Sequence, residues 1–220
     1  MKTAQEIYTE YRVMPSLQLH QLRVAAVAKL ICEYFKKPVN AHDVVLAALF
    51  HDMGNILKFD LGKTFPEFLE PEGLEYWQKV KDEFKKRYGS DQHEASLKIA
   101  REIGLSAMVV RCVDAVAFAK AEATLQYGLW EEKICEYADT RVGPRGVLPV
   151  VERLEEGRKR YEGRSINSGV TEPRERFDQL VKAELEIERL IFANTRIKPE
   201  DINDAAVEPV IEQLRTYTVA

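Results

Sequence analysis

The sequence predicts an all-α protein, and three observations support this fold class. Apolar residues recur at helical spacing along most of the chain, helix-capping residues precede several of these stretches, and no segment shows the sustained two-residue alternation typical of strands. The chain of 220 residues is long enough for one large domain or two small ones. A polar loop over 163–173 is the only internal boundary that the pattern indicates. We therefore expect a helical domain over 1–162 and helices within 163–220 that pack on the same domain.

The first two helices are predicted from a helix-start residue and an apolar stripe. A short helix is expected over 3–12, and a second helix should begin at Pro15, because proline favours the first turn of a helix. Residues of the second helix that share one face are His20, Val24, Val27, Ile31 and Phe35. Since this face is apolar, it should point to the core, and His20 should lie among core residues.

The third helix is predicted to be central and buried. Asn40 is expected to cap its first turn, with Asp43 as the reciprocal partner. The helix is apolar on all sides from Val44 to Phe50, and Gly54 should end it. A helix without a polar face is expected to lie inside the bundle.

The later elements continue the helical pattern. Residues 55–90 contain glycines and prolines and then a charged, aromatic stretch, 76–88, which predicts an exposed helix. Asp91 should cap the next helix. Further helices are expected at about 106–124, 129–142, 148–161, 174–194 and 200–217. Trp77 could stack on a nucleobase, but packing on the protein's own core is the favoured interpretation.

The composition excludes some classes of protein. The chain has 32 basic and 36 acidic residues, and this balance disfavours a dedicated nucleic-acid binder. No apolar run reaches the roughly 18 residues that a membrane helix needs, and the first residues lack a signal-peptide core. We therefore expect a cytoplasmic protein without a membrane partner. The cysteines form no CxxC pair and are interpreted as reduced, buried residues: Cys32, Cys112 and Cys135.

The chain has four histidines, and two of them are followed by aspartate. The pairs that begin at His42 and His51 are nine residues apart, which places them on opposite sides of one helix. His42 lies in the first, polar turn and should be solvated. His51 lies at the far end of the buried stretch, so the second pair is the one expected to face the interior.

The residues around Asp52 favour a metal site. Asp52 continues an apolar row of the third helix, and an unpaired buried carboxylate would cost several kcal/mol. A divalent cation shared with His20 would compensate this charge, since imidazole and carboxylate groups suit transition-metal ions. A buried polar network without metal is the alternative. Asp139 lies at the edge of an apolar helix face and could equally face solvent.

Three strings in this order resemble the signature of the HD-domain phosphohydrolase superfamily. They are HQLRVA at 20–25, LFHDMG at 49–54 and YAD at 137–139, and the resemblance covers about 15–145. It implies an all-helical domain with one divalent metal ion, whose identity among Mn, Fe, Co, Ni, Zn and Mg stays open. The metal ligands that it implies are His20, His51, Asp52 and Asp139.

The string HEASLKIA at 93–100 resembles a third-histidine helix of the same superfamily. Members with two or more metals carry another histidine on the following helix, where this chain has VDAVAFA at 113–119. The resemblance therefore implies a single metal, with His93 as a catalytic group that protonates a leaving oxygen or binds phosphate; a structural histidine is the alternative. Asn55 replaces a glutamate of the nucleotide-hydrolysing branch, so the base would be Asp52, a metal-activated water or an acid such as Asp60.

A phosphate substrate requires positive charge beside the metal. Arg23, Lys58 and Arg141 follow the expected ligands closely and are the candidate substrate-binding residues, although each could be a solvated cation. The resemblance implies a metal-dependent hydrolase of a nucleotide or another small phosphate ester that acts through a metal-activated water. The alternative is a non-catalytic, metal-containing nucleotide sensor or protein-interaction module. A homodimer stays open.

Overall fold

The computed structural model describes residues 1–165 and 173–219, and within them the protein is all-α, as predicted. The α-helices in these ranges are α1 Ala4–Glu10, α2 Pro15–Tyr34, α3 Ala41–Phe50, α4 Leu74–Tyr88, α5 Gln92–Glu102, α6 Ala107–Ala115, α7 Ala121–Tyr127, α8 Trp130–Thr140, α9 Val150–Ser165, α10 Pro173–Ala193 and α11 Asp204–Arg215. Short 3-10 turns lie at Asn55–Lys58, Leu61–Lys63, Pro66–Phe68, Phe118–Lys120 and Pro199–Asp201. Two short strands, β1 Lys2–Thr3 and β2 Thr218–Val219, pair in antiparallel orientation.

Helix α3 is the centre of the bundle. Its residues from Val44 to Phe50 are all buried, and it packs against α2, α6 and α8. Asn40 caps the helix as predicted, because its side-chain oxygen accepts a hydrogen bond from the Asp43 main-chain N–H at 3.2 Å. The reciprocal bond predicted to Asp43 is wrong, since the Asn40 N–H donates to the Glu131 carboxylate of α8 at 3.0 Å. The apolar sequence of α3 therefore carries its C-terminal end, where His51 and Asp52 stand, into the interior between three helices.

The two ends of the chain meet. The Ala4 N–H donates to the Tyr217 carbonyl at 2.9 Å, and α11 packs along α2. Helix α10 packs against α7, α8 and α9. The boundary loop predicted over 163–173 lies largely outside the described residues, apart from its ends in α9 and α10.

The single helix predicted over 106–124 is wrong, since the chain forms α6, a 3-10 turn and α7 there. At the break, Ala117 is extended, with φ −162° and ψ 119°. Its N–H donates both to the Ala115 carbonyl and to the buried Glu136 carboxylate, each at 2.8 Å. A contact with α8 thus supplies one partner for an N–H that a continuous helix would use internally.

Trp77 packs in the core, which is the interpretation that the sequence favoured, and its indole N–H donates to the Leu69 carbonyl at 2.9 Å. The three cysteines are free; Cys112 and Cys135 are buried as predicted, but Cys32 is only partly buried. No helix in the described part of the chain combines the length and apolar character needed to cross a bilayer.

Candidate metal centre

Two imidazoles and two carboxylates from three parts of the fold converge. His20 lies on α2, His51 and Asp52 stand at the C-terminal end of α3, and Asp139 lies on α8. The Nε2 atoms of His20 and His51 are 3.0 and 3.3 Å from Asp139 Oδ1, and 3.6 and 3.7 Å from Asp52 Oδ2. The structure thus brings together all four residues that the sequence nominated as metal ligands.

The donor atoms have a spacing that a metal ion could bridge. One ligand atom from each of His20, His51 and Asp52 lies within 4.8 Å of the others. Two imidazole nitrogens with carboxylate oxygens are ligands that first-row divalent ions accept. Because protein groups supply at most four positions here, an octahedral ion would retain places for water or a substrate.

His51 has the ring geometry of a metal ligand. Its Nδ1 lies 2.8 Å from the Ala48 carbonyl oxygen, which can only accept, so Nδ1 carries the proton. Its Nε2 is buried and has no hydrogen-bond partner among the described residues. In the neutral ring, this tautomer leaves the Nε2 lone pair directed at the cluster, as metal-binding histidines require. This orphaned nitrogen is the observation that best fits a bound cation.

The two carboxylates of the cluster favour a positive charge beside them, as the pKa values of His51 and Asp139 indicate. Burial lowers the pKa of His51, but the carboxylates of Asp52 and Asp139 outweigh it and raise the pKa to about 9. Partial burial raises the pKa of Asp139, and the imidazoles of His20 and His51 more than offset it, so that this pKa lies well below its usual value. Without a cation, the cluster therefore holds a proton, and a divalent ion would replace it.

Polar neighbours fix the position of Asp52. Gln21, which is fully buried, accepts the Asp52 main-chain N–H through its side-chain oxygen at 3.2 Å. The Asn55 amide donates to Asp52 Oδ2 at 2.5 Å. Asn55, which departs from the family pattern, thus orients a candidate metal ligand. The sequence analysis did not identify Gln21 as a residue of the site. Its position next to His20, in an otherwise apolar stretch of α2, could have indicated this role.

Helix α5 packs directly on the turn that follows Asp52. A Cβ atom at Gly54 would lie 2.4 Å from the Gln92 carbonyl oxygen and 2.7 Å from the Ala95 Cβ, so only glycine allows this approach. The Ser96 hydroxyl accepts the Gly54 N–H at 2.9 Å.

His93 lies one turn before Ser96 on α5, and its Nε2 lies 2.9 Å from Asp114 Oδ1. The His93 side chain makes no hydrogen bond or ion pair with the four clustered residues.

The HD domain family model matches residues 18–138. The chain belongs to the HD domain family. The match includes His20, the His51-Asp52 pair and His93, and it ends one residue before Asp139. Neither a curated protein nor a solved structure matches this chain. The family implies the metal-dependent phosphohydrolase superfamily, and the clustered ligands of this HD domain agree with a divalent-metal site.

The substrate-binding role predicted for Arg141 does not fit its surroundings. Its guanidinium is buried and donates to the carbonyl oxygens of Leu148, Pro199 and Ile202 and to the Tyr137 hydroxyl. All of these partners are neutral oxygens of the protein itself. Arg141 therefore ties α8 to the segment before α11, and its donors are not available to a phosphate.

Arg23 and Lys58 remain available for an anion. Arg23 is half-buried on α2, one turn after His20, and Lys58 is exposed in the 3-10 turn after Asp52. Neither side chain makes a hydrogen bond or ion pair with a described residue. An unpaired guanidinium on the same side of α2 as a candidate ligand suits recognition of phosphoryl oxygens.

His42, on the opposite side of α3, is exposed as predicted. Its Nδ1 lies 2.8 Å from the Tyr217 hydroxyl, at the end of the bundle where the chain termini meet. Of the two His-Asp pairs, only the one that begins at His51 therefore belongs to the cluster.

A buried carboxyl pair includes a residue one turn before Asp139. Glu136 on α8 and Glu184 on α10 are almost fully buried, and neither oxygen of Glu184 has a hydrogen-bond partner in the described ranges. Burial and the negative charge of Asp139 raise the pKa of Glu184 to about 7. Burial and the Glu184 carboxylate raise the pKa of Glu136 well above its usual value. Sequence reasoning missed both, since each looks like a polar residue of an amphipathic helix.

Proposed function

We propose that this HD-domain protein is a metal-dependent phosphohydrolase that acts on a nucleotide or another small phosphate ester. The observation that carries the proposal is the buried Nε2 of His51, which has no hydrogen-bond partner among the described residues and lies where two imidazoles and two carboxylates meet. His20, His51, Asp52 and Asp139 would hold the ion. A bound divalent ion would lower the pKa of a coordinated water and polarise a phosphoryl oxygen.

The protein's own groups supply the remaining functions. Arg23 and Lys58 would neutralise charge on the phosphoryl oxygens as it grows in the transition state. Asp52, whose carboxylate is oriented by Asn55, would accept the proton of the attacking water. His93 would donate a proton to the leaving oxygen.

A non-catalytic sensor is the second candidate. It is favoured by Asn55, an amide that cannot act as a base and that donates to Asp52 instead. Such a protein would bind metal and a nucleotide without turnover, or use the metal-containing domain to bind another protein.

The test has two stages. Elemental analysis of the purified protein should find a divalent metal, and phosphate release should then be measured over a nucleotide panel with Mn, Co, Ni or Mg added. Asp139→Ala should lose both metal and phosphate release. Asp178→Ala removes a partly exposed carboxylate of α10 that pairs with Arg158 and does not belong to the cluster, so it should retain both.

The outcome separates the two candidates. Release of phosphate by the wild-type protein, lost in Asp139→Ala, supports the hydrolase. Fully metallated wild-type protein that releases no phosphate but binds nucleotides in calorimetry would replace the hydrolase with the sensor.

A further inference from the structure

His93 belongs to a cluster of three ionisable side chains outside the metal centre. Asp114 on α6 and Lys120 in the turn before α7 complete it. Asp114 Oδ1 lies 2.9 Å from His93 Nε2 and 2.6 Å from Lys120 Nζ, and Lys120 Nζ lies 3.5 Å from His93 Nε2. All three side chains are partly exposed, so the cluster is open to a ligand from solution.

Two contacts tie this cluster to the segments that carry the metal ligands. On one side, Ser96, one turn after His93, accepts the N–H of Gly54, two residues beyond Asp52. On the other side, Ala117, which lies between Asp114 and Lys120, donates its N–H to Glu136, one turn before Asp139. The cluster is thus anchored against both the α3 and the α8 sides of the metal centre.

The hydrogen bonds define which groups remain free. Partial burial raises the pKa of Asp114, but Lys120 and His93 outweigh this effect and lower it, so the carboxylate is ionised and can only accept. His93 Nε2 must therefore donate to it. The other ring nitrogen, Nδ1, makes no hydrogen bond to a described residue.

Lys120 also keeps one donor free. Its ammonium has three protons, of which one is directed at Asp114 Oδ1 and another at the Asp114 main-chain oxygen, 2.8 Å away. The third proton can bind an oxygen of an incoming anion. One carboxylate thus holds both side chains: Lys120 keeps a free proton, and the imidazolium form of His93, which is protonated on both nitrogens, has a free Nδ1–H.

We propose that Asp114 orients His93 to protonate the leaving oxygen of an alkyl phosphate ester, and that Lys120 binds a phosphoryl oxygen of the same substrate. This inference rests on the proposed hydrolase function and narrows its substrate class. An alkoxide is too basic to leave without a proton, whereas a nitrophenolate leaves readily as an anion. A positioned acid therefore matters for alkyl esters, such as nucleoside monophosphates, much more than for activated aryl esters.

The bonding changes balance without a further reactant. The water oxygen forms a bond to phosphorus, and one water proton passes to the Asp52 carboxylate. The bond between phosphorus and the ester oxygen breaks with its electron pair on that oxygen, which takes the Nδ1 proton of the His93 imidazolium and leaves a neutral ring that still donates from Nε2 to Asp114. Asp52 then releases a proton and His93 regains one from solvent, so the products are an alcohol and inorganic phosphate.

The test compares two esters on each variant: a nucleoside monophosphate and para-nitrophenyl phosphate. Asp114→Asn and His93→Gln should lower kcat for the nucleotide by about 100-fold, and lower kcat for the aryl ester far less. Lys120→Met should raise KM for both esters by about 10-fold or more, since it removes a charged donor to the shared phosphoryl group. Metal content and melting temperature are measured in parallel.

One control comes from α5, the helix of His93, and a second from α10, outside the cluster. Lys98→Met removes a lysine of α5 that donates to the Tyr88 carbonyl, and Asp178→Asn removes a carboxylate paired with Arg158. Both controls should behave as wild type with both esters. A partly unfolded variant would lose activity with both esters equally, so the ratio of the two kcat values separates a positioning role from a structural one.

The outcomes are distinct. A kcat loss confined to the nucleotide in both Asp114→Asn and His93→Gln, with the KM effect of Lys120→Met, supports the assignment. Equal losses with both esters, or variants that match wild type, overturn it while the hydrolase function stands. A metallated wild-type protein that hydrolyses neither ester contradicts the hydrolase function itself.

Discussion

His20 and Asp139 are 119 residues apart in the chain, yet His20 Nε2 lies 3.0 Å from Asp139 Oδ1. The contact joins α2 to α8 beside the end of α3, so the four-residue cluster exists only when these three helices are packed. Because the unfolded chain lacks this arrangement, metal binding and folding should be thermodynamically linked.

The first prediction contrasts the two His-Asp pairs of α3. His51→Ala should strip the bound metal, because it removes the buried Nε2 at the cluster. His42→Ala is the matched control and should leave the metal content unchanged, since His42 contacts Tyr217 at the surface. Elemental analysis of both purified variants measures their metal content. Loss of metal from the His42 variant, with retention in the His51 variant, would refute the site.

The second prediction is one tightly bound metal per chain. In the described ranges, the residues that could hold an ion form a single group, His20 with His51 and Asp52. The third histidine, His93, is engaged by Asp114 rather than by a second histidine. Elemental analysis of the protein as purified should give a ratio of one, and a ratio of two would restore the multi-metal branches of the family.

The third prediction separates two arginines near the site. Arg23→Met should raise KM for the phosphate ester by about 10-fold and leave metal content and melting temperature close to wild type, since this guanidinium has no described partner. Arg141→Met should instead lower the melting temperature, because it leaves three carbonyl oxygens in the protein interior or at its edge without their donor. Steady-state kinetics and thermal melts distinguish these effects, and exchanged phenotypes would contradict both assignments.

The fourth prediction concerns the buried carboxyl pair. The pKa of Glu184 is raised from 4.5 to about 7 in the folded state, so its contribution to stability is fully present below pH 4.5 and lost as the pH rises through 7. Glu184→Gln stays neutral and should therefore melt higher than wild type at pH 8, by about 2–4 °C for each kcal/mol recovered. The gain should vanish near pH 4.5.

Thermal melts in the presence of a chelator are the measurement for this variant. Glu175→Gln, an exposed substitution on the same helix, is the control and should show no such pH-dependent gain. A Glu184→Gln protein that is less stable than wild type at pH 8 would show that the carboxylate is paired in solution.

The all-α class, the buried α3 and the four clustered residues could be predicted from the sequence. Helical periodicity and capping depend on residues close together in the chain, so they are visible without tertiary information. The apolar row of α3 implied that Asp52 needed a cationic partner, and the ordered strings around His20, His51 and Asp139 supplied the family.

Tertiary structure alone decided the remaining features. The helix predicted over 106–124 is broken at Ala117, whose N–H donates to Glu136 of a different helix. Arg141 is buried because it donates to the Pro199 and Ile202 carbonyls, 58 and 61 residues further along the chain.

Contacts between separate helices also determine the roles of the polar residues on α5, α6, α8 and α10. The pairing of Asp114 with His93 and the burial of Glu184 beside Glu136 each depend on which faces of separate helices meet. A periodic pattern shows that a residue is polar and where it lies on its own helix. It does not show which group of another helix will face it, and that partner determines whether an arginine binds substrate or holds the fold together.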